Sequence, residues 1–446
     1  MATQSEIAEI STSEPIATPS LRKNFRWAFS GNFTYARCQW GMLSVLAKLG
    51  NPAVVGQYAI ALAICHPIFM LTNLQLRTVQ ATDARSEYEF ADYFSLRCLG
   101  STFAILLVLS VTIFVGYDQT TALVVVLVAA SKFIESISDG IAGQFLKSER
   151  LDQSAIGLMI RGVASILVFG VVYWWVRSLA AGVLSAVVVS AITVVCYDVQ
   201  RVRRLLRKGQ ESLRFFRLRW PTLRRLTILS FPMGVVMALI SLNANLPRYV
   251  LERKLGSAEL GIFASLAYLV IAASLVVNAL GQSATARLSR MFATGRFGEF
   301  RAVMRKLLLF GVAVAAVGTP LAAAFGKPVI AILYRPEYTA RFSVFLVLVV
   351  TVGVGAMASF LGYGATAARV FKPQVAINGA CALTTLMVTL VLVPRHGIMG
   401  AAVALLAAAV VQAVLNALVL KLALNSAACY LPSANVNDCR AEQKAL

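Results

Sequence analysis

Charge is what this chain has least of. Asp+Glu number 20 and Lys+Arg 41 in 446 residues, so 14% of the sequence is charged, where soluble proteins carry about 25%. Water cannot be the main solvent of such a chain, and a hydrophobic content of 59% with a mean hydropathy of +0.75 assigns that role to lipid. Histidine is nearly missing: His66 and His396 stand far apart and suggest no metal cluster. Cysteines 38, 65, 98, 196, 381, 429 and 439 include no CxxC pair, and five fall inside apolar stretches, which excludes a disulfide framework. No GxxxxGK[ST] motif occurs, so nucleotide hydrolysis is not expected. Long outer loops of the kind that carry the catalytic groups of membrane glycosyltransferases are also missing. Neither an enzyme nor a cofactor is expected.

What the sequence has in abundance is apolar runs of helical length, such as 307–326 and 401–420. Lipid-embedded backbone must satisfy its own hydrogen bonds, in helices or closed barrels, and these runs lack the alternating polar positions of barrel strands. The expected fold is an all-α polytopic membrane protein. Spans fall at roughly 25–47, 53–76, 94–116, 120–144, 155–176, 178–198, 226–247, 260–281, 305–325, 341–363, 373–394 and 397–421, twelve in all. The corresponding organisation is a disordered tail 1–20, an N-terminal six-helix lobe 21–200, a basic amphipathic linker 201–225, a C-terminal six-helix lobe 226–424 and a tail 425–446. The opening segment lacks a basic region ahead of an apolar core and does not resemble a cleavable signal peptide.

An even number of spans puts both termini on one side, and the basic residues identify it. Thirty of the 41 Lys+Arg fall on the side of the termini, nine on the other, and Arg37 and Lys132 lie within spans. This asymmetry predicts cytoplasmic termini. The linker carries ten Lys+Arg against one Glu, interleaved with Leu213, Phe215, Phe216 and Trp220, which predicts a helix or helix pair at the membrane interface in contact with anionic phospholipid rather than nucleic acid.

The two halves echo each other. Lys48-Leu49-Gly50 leads into Gly56-Gln57-Tyr58-Ala59, and Lys254-Leu255-Gly256 into Gly261-Ile262-Phe263-Ala264. Gly50 and Gly256 are expected to allow tight turns, Gly56 and Gly261 close helix packing. Such repeats commonly build a cavity at their interface. With Glu89-Phe90-Ala91-Asp92-Tyr93-Phe94-Ser95-Leu96-Arg97 entering span three, these motifs resemble the polysaccharide biosynthesis transporters. Those are the O-antigen and exopolysaccharide lipid-linked sugar flippases of the superfamily that also holds multidrug extruders and lipid II flippases. The resemblance implies two six-helix lobes around a central cavity in a bacterial inner membrane. It also implies alternating-access transport of an undecaprenyl-diphosphate-linked oligosaccharide, with polysaccharide polymerase and export machinery as partners. The two further helices typical of lipid II flippases have no equivalent after Lys421.

Charged residues inside spans are costly and usually face a cavity or a partner. Arg37 is a candidate for the substrate diphosphate, because guanidinium offers a fork of donors matched to phosphate oxygens; an internal salt bridge is the alternative. Lys132, Glu135 and Asp139 share one helical face. There Lys132 can pair with Glu135, leaving Asp139 for water or a basic partner such as Arg37, as a structural cluster or as an ion-coupling site. Asn243, Asn245 and Arg248 on span seven are candidates for sugar hydroxyls and the cavity mouth, and Tyr35, Trp40 and Tyr58 for stacking against pyranose rings. His66 and Pro67 in span two and Pro232 in span seven are hinge candidates. Two other readings stay open: a cation-coupled multidrug exporter, which would use an intramembrane carboxylate, and a membrane scaffold of a polysaccharide synthase complex. The sign of the cavity discriminates between the first two.

Overall fold

The computed structural model describes residues 20–83, 87–208, 212–368, 370 and 372–429. Of the loose tails expected at either end, Ser20 and residues 425–429 are among them, the latter as the helical end of the chain's last described element, and the rest lie outside the described residues. Among the described residues the regular structure is helical. The N-terminal lobe comprises α1 (Leu21–Leu49), α2 (Pro52–Thr72), a short α3 (Leu76–Thr82), α4 (Phe90–Val115), α5 (Gln119–Lys147), α6 (Leu151–Val176) and α7 (Leu179–Thr193). A π-helical turn, Val194–Asp198, carries α7 into α8 (Val199–Lys208). The C-terminal lobe comprises α9 (Trp220–Ala293), α10 (Phe297–Leu333), a short α11 (Pro336–Thr339), α12 (Phe342–Ala367), α13 (Lys372–His396) and α14 (Ile398–Cys429).

Ten of these helices are long and apolar enough to cross a membrane, which makes the chain a multi-pass membrane protein. Helix α9 counts once among them, yet it breaks at Gly256, whose φ of 82° is a glycine conformation, into two arms. Helix α1, the least hydrophobic expected span, is not among the ten. A count of twelve spans would add α1 and the second arm of α9 to the ten.

Short polar caps end and restart the helices at the turns. Asn51 Oδ1 accepts the Val54 amide at 3.0 Å in front of Pro52, and Asp118 Oδ2 accepts the Thr121 amide at 3.1 Å. Each satisfies an amide that has no partner within its helix.

The most extensive contact between helices joins α2 to α9, one from each lobe. The repeated glycines make it possible. A Cβ on Gly56 would lie 2.6 Å from the carbonyl carbon of Ser257, and one on Gly261 would lie 2.8 Å from that of Pro52 and 2.9 Å from the amide nitrogen of Gly56. Helices approach this closely only through small residues. Lys48 Nζ adds a cross-lobe clasp at the same end, donating to the carbonyls of Ile332 at 3.0 Å and Tyr334 at 3.2 Å. Gly50 stands in the tight turn expected between α1 and α2, with an extended backbone (φ −95°). Its requirement is steric, since a Cβ there would meet the Leu46 carbonyl oxygen at 2.6 Å.

Among its described residues the basic linker is helical at 201–208, in α8, and again from Trp220, where α9 begins. Residues 212–219 include no helix, because their aromatic side chains are engaged on α4. Phe215 packs edge-on against Phe90 and Phe94 at 5.5 and 5.4 Å between centroids. The Arg217 amide donates to Ser95 Oγ at 2.7 Å, and its guanidinium pairs with Glu89. The motif entering span three is thus the dock of the inter-lobe linker.

Candidate functional site

The inner wall of the N-terminal lobe holds a cavity of about 370 Å³ between α1, α2, α4, α5 and α6, with Met237 of α9 reaching it from the other lobe. Four cations, Arg77, Arg97, Lys132 and Arg161, line it against two carboxylates, Glu135 and Asp139. The excess is positive, and hydrogen bonding distributes it unevenly.

Glu135 is saturated. Lys132 Nζ donates to its Oε2 at 2.7 Å, the i,i+3 pairing expected on α5. On the other oxygen, Tyr35 OH donates a short hydrogen bond and Gln39 Nε2 a longer one of 3.3 Å, while Gln39 also donates to Tyr35 OH at 2.7 Å. Asp139 is also paired, but not with Arg37. Its partners are Arg97 at 2.5 Å and Arg77 at 3.2 Å, and Arg97 Nη1 donates in addition to the Asn73 carbonyl at 3.2 Å. The expected partner is displaced because Arg37 is exposed on α1, with its guanidinium over the Phe33 ring at 5.5 Å.

Arg161 remains. It is 4% exposed, its guanidinium sits over the Tyr35 ring at 5.3 Å, and its Nε and Nη1 are buried without a hydrogen-bond partner. A buried guanidinium with idle donors is costly unless something accepts from it. The sequence reading passed over Arg161 as the basic end of span five. The signal that could have found it is the small-residue face Gly157, Gly162 and Ser165 around it, since small neighbours bring other helices close. Gly157 in fact makes room for Asp198, to whose Oδ1 a Cβ there would come within 2.5 Å. Asp198, at the end of the π-helical turn, is buried and accepts from Ser138 Oγ at 2.7 Å; it too escaped the sequence reading, although π-helical turns often mark functional positions.

The other candidates divide. Tyr35, His66, Lys132, Glu135 and Asp139 line the charged cavity. Pro67 follows His66 inside α2 and Pro232 is exposed on α9. Trp40 is not among the lining residues, and its buried indole nitrogen lies toward the Tyr334 hydroxyl. Asn243 accepts from Thr385 and lines a separate cavity in the C-terminal lobe. Asn245 is buried, donates to Ser241 O of its own helix at 2.8 Å and accepts from Arg248 at 3.0 Å, while Arg248 lies over the Tyr268 ring. The described residues include no group of His, Cys, Asp and Glu that could hold a metal ion.

Comparison with known proteins gives concordant results. Residues 21–292 match the family model described as polysaccharide biosynthesis protein. Capsular polysaccharide biosynthesis protein CapF of Staphylococcus aureus is 27% identical over 381 residues, covering 85% of this chain and 94% of the relative. Among solved structures, the lipid II flippase MurJ in an inward closed conformation superposes with a TM-score of 0.67 at 11% identity, covering 90% of this chain and 89% of that one. A MOP superfamily transporter from Pyrococcus furiosus, whose structure was described in terms of a binding pocket of reversed polarity, gives 0.62 at 12% identity, covering 90% and 94%. At such identities the structural likeness establishes the fold, that of transporters and flippases.

Proposed function

Since the chain belongs to the polysaccharide biosynthesis protein family, we propose that it is a flippase that moves an undecaprenyl-diphosphate-linked oligosaccharide across the bacterial cytoplasmic membrane by alternating access. Both carboxylates of the charged cavity are neutralised by protein cations, whereas Arg161 keeps two buried donors idle. That observation carries the reading: an anionic group with several acceptor oxygens completes the site, and a diphosphate is such a group. Its arrival would cancel the positive excess and satisfy the guanidinium in one step. A cation-coupled exporter would need an unpaired carboxylate facing the cavity, and Glu135 and Asp139 are both engaged.

In this reading twelve spans place both termini in the cytoplasm. The lobes are closed by Lys48 and the Gly56/Gly261 contact at the outer end, so the cavity awaits a substrate from the inner leaflet. Rocking of the lobes about this contact would expose the cavity outward, with Pro67 and Pro232 as bends, and polymerase and export machinery would receive the product. The decisive experiment is deletion of the gene with analysis of lipid-linked sugars, complemented by wild type or by Arg161→Gln. Lipid-linked oligosaccharide should accumulate on the cytoplasmic face, with rescue by wild type and not by the variant at equal membrane abundance. Unchanged polymer and no accumulated intermediate in the deletion strain would reject the proposal.

A further inference from the structure

The C-terminal lobe has an open-sided cavity of its own, of about 260 Å³, lined by α9, α12 and α14. Its chemistry is the opposite of the first: no charged residue lines it. Its polar groups are Asn243, Ser274, Asn278, Thr351, Ser359 and Gln412, set among alanine, valine and leucine.

Many of these groups are unspent. Serines in helices commonly bond back to the preceding turn, as Ser230 does to Leu226 O at 2.8 Å. Among the described residues the hydroxyls of Ser274 and Ser359 and the amide of Gln412 make no such bond and have no other hydrogen-bond partner in the protein. Asn278 uses only its oxygen, in a long contact of 3.4 Å from Tyr363 OH. Polar groups placed in a membrane-embedded lobe need a partner, and here they converge on one space.

Gly355 makes the space. It stands on α12 one turn from Thr351 and one turn from Ser359, and lines the cavity with them. A Cβ at Gly355 would meet nothing within 4 Å. Neither close packing nor a left-handed backbone requires a glycine there, in contrast to Gly261 and Gly256. Its effect is to leave volume.

Resting on the flippase reading, we propose that this cavity is a separate subsite for uncharged sugar rings of the substrate, so that the diphosphate is held by one lobe and the glycan by the other. Hydroxyls both donate and accept, which matches a lining of free amides and hydroxyls. The apolar side chains between them suit the C–H faces of a pyranose. The volume lies just under the roughly 300–1,000 Å³ of pockets for drug-sized ligands, the scale of about one or two sugar rings. A diphosphate would find no cation here, and a cationic drug no carboxylate.

The test compares binding of two probes to the full-length protein in nanodiscs: undecaprenyl diphosphate, and the undecaprenyl-diphosphate-linked oligosaccharide extracted from the deletion strain. Wild type should bind the glycosylated probe about tenfold or more tightly than the bare one. Gly355→Leu, which fills the cavity, should abolish that preference while changing the affinity for the bare probe by less than about twofold. Gln412→Leu, which removes a polar group at nearly constant volume, should reduce the preference in the same way and provides the test if Gly355→Leu is poorly folded. Arg161→Gln should weaken both probes. Equal binding of the two probes by wild type, or an unchanged preference in a folded Gly355→Leu or Gln412→Leu protein, overturns the subsite and leaves the flippase reading standing. Failure of wild type to bind either probe overturns the flippase reading and the subsite with it.

Discussion

Replacing Asp139 by asparagine removes the carboxylate that holds Arg97. The cost is set by what is left behind. The Arg97 side chain is 1% exposed and that of Asp139 37%, so the group stranded by Asp139→Asn is a fully buried guanidinium whose Nε already lacks a partner. Breaking a buried pair in this direction costs about 3–5 kcal/mol. The reverse change, Arg97→Met, strands a carboxylate that still has Arg77 at 3.2 Å and access to the cavity, and should cost less, about 1–3 kcal/mol. Removing both partners with Arg97→Met and Asp139→Leu should recover most of the loss, because the charge then left without its partner, Arg77, is 30% exposed rather than fully buried. Arg37→Ala is the control: an exposed cation over the Phe33 ring is worth about 0.5–1 kcal/mol. Thermal unfolding in detergent and membrane abundance of a fluorescent fusion should rank the variants as Arg37→Ala, then Arg97→Met, then Asp139→Asn in increasing damage. Wild-type melting and abundance in Asp139→Asn, or greater damage from Arg37→Ala, would refute this reasoning.

Lys48→Met should loosen the clasp to Ile332 and Tyr334 and shift the lobes toward separation at that end, read as a longer mean distance between spin labels at Gln119 and Lys327; an unchanged distance distribution would show that the clasp does not hold the lobes. Gly261→Val forces a side chain against the Pro52 backbone and should lower stability by about 1–3 kcal/mol or more, whereas Gly355→Ala, into open space, should leave the melting temperature within a degree or two. A reporter fused after Tyr117 or after Arg395 should be active outside the cytoplasm, as the basic asymmetry requires; cytoplasmic activity at both positions would defeat the twelve-span orientation.

Composition and apolar run length by themselves determined that this is a multi-helix membrane protein, because lipid leaves the backbone almost no alternative. The repeat was legible too: Gly56 and Gly261 lie some 205 residues apart in sequence and meet backbone to backbone in the structure. Within one helix the periodicity also sufficed, since Lys132 and Glu135, three residues apart, can hardly avoid each other on α5. Between helices it did not suffice. Helical spacing says which residues share a face but not which neighbour that face meets, so the partners of Asp139 came out as Arg97 and Arg77, and Arg37 came out exposed on α1. For the same reason Arg161 could pass as a span end, and Asn243 gave no sign that it shares a cavity with Ser274, Ser359 and Gln412 of other helical stretches. The rotation of each helix about its axis is set by the fit of small residues against neighbouring backbones, and that tertiary fit alone decided which charges cancel and which donors are left for a ligand.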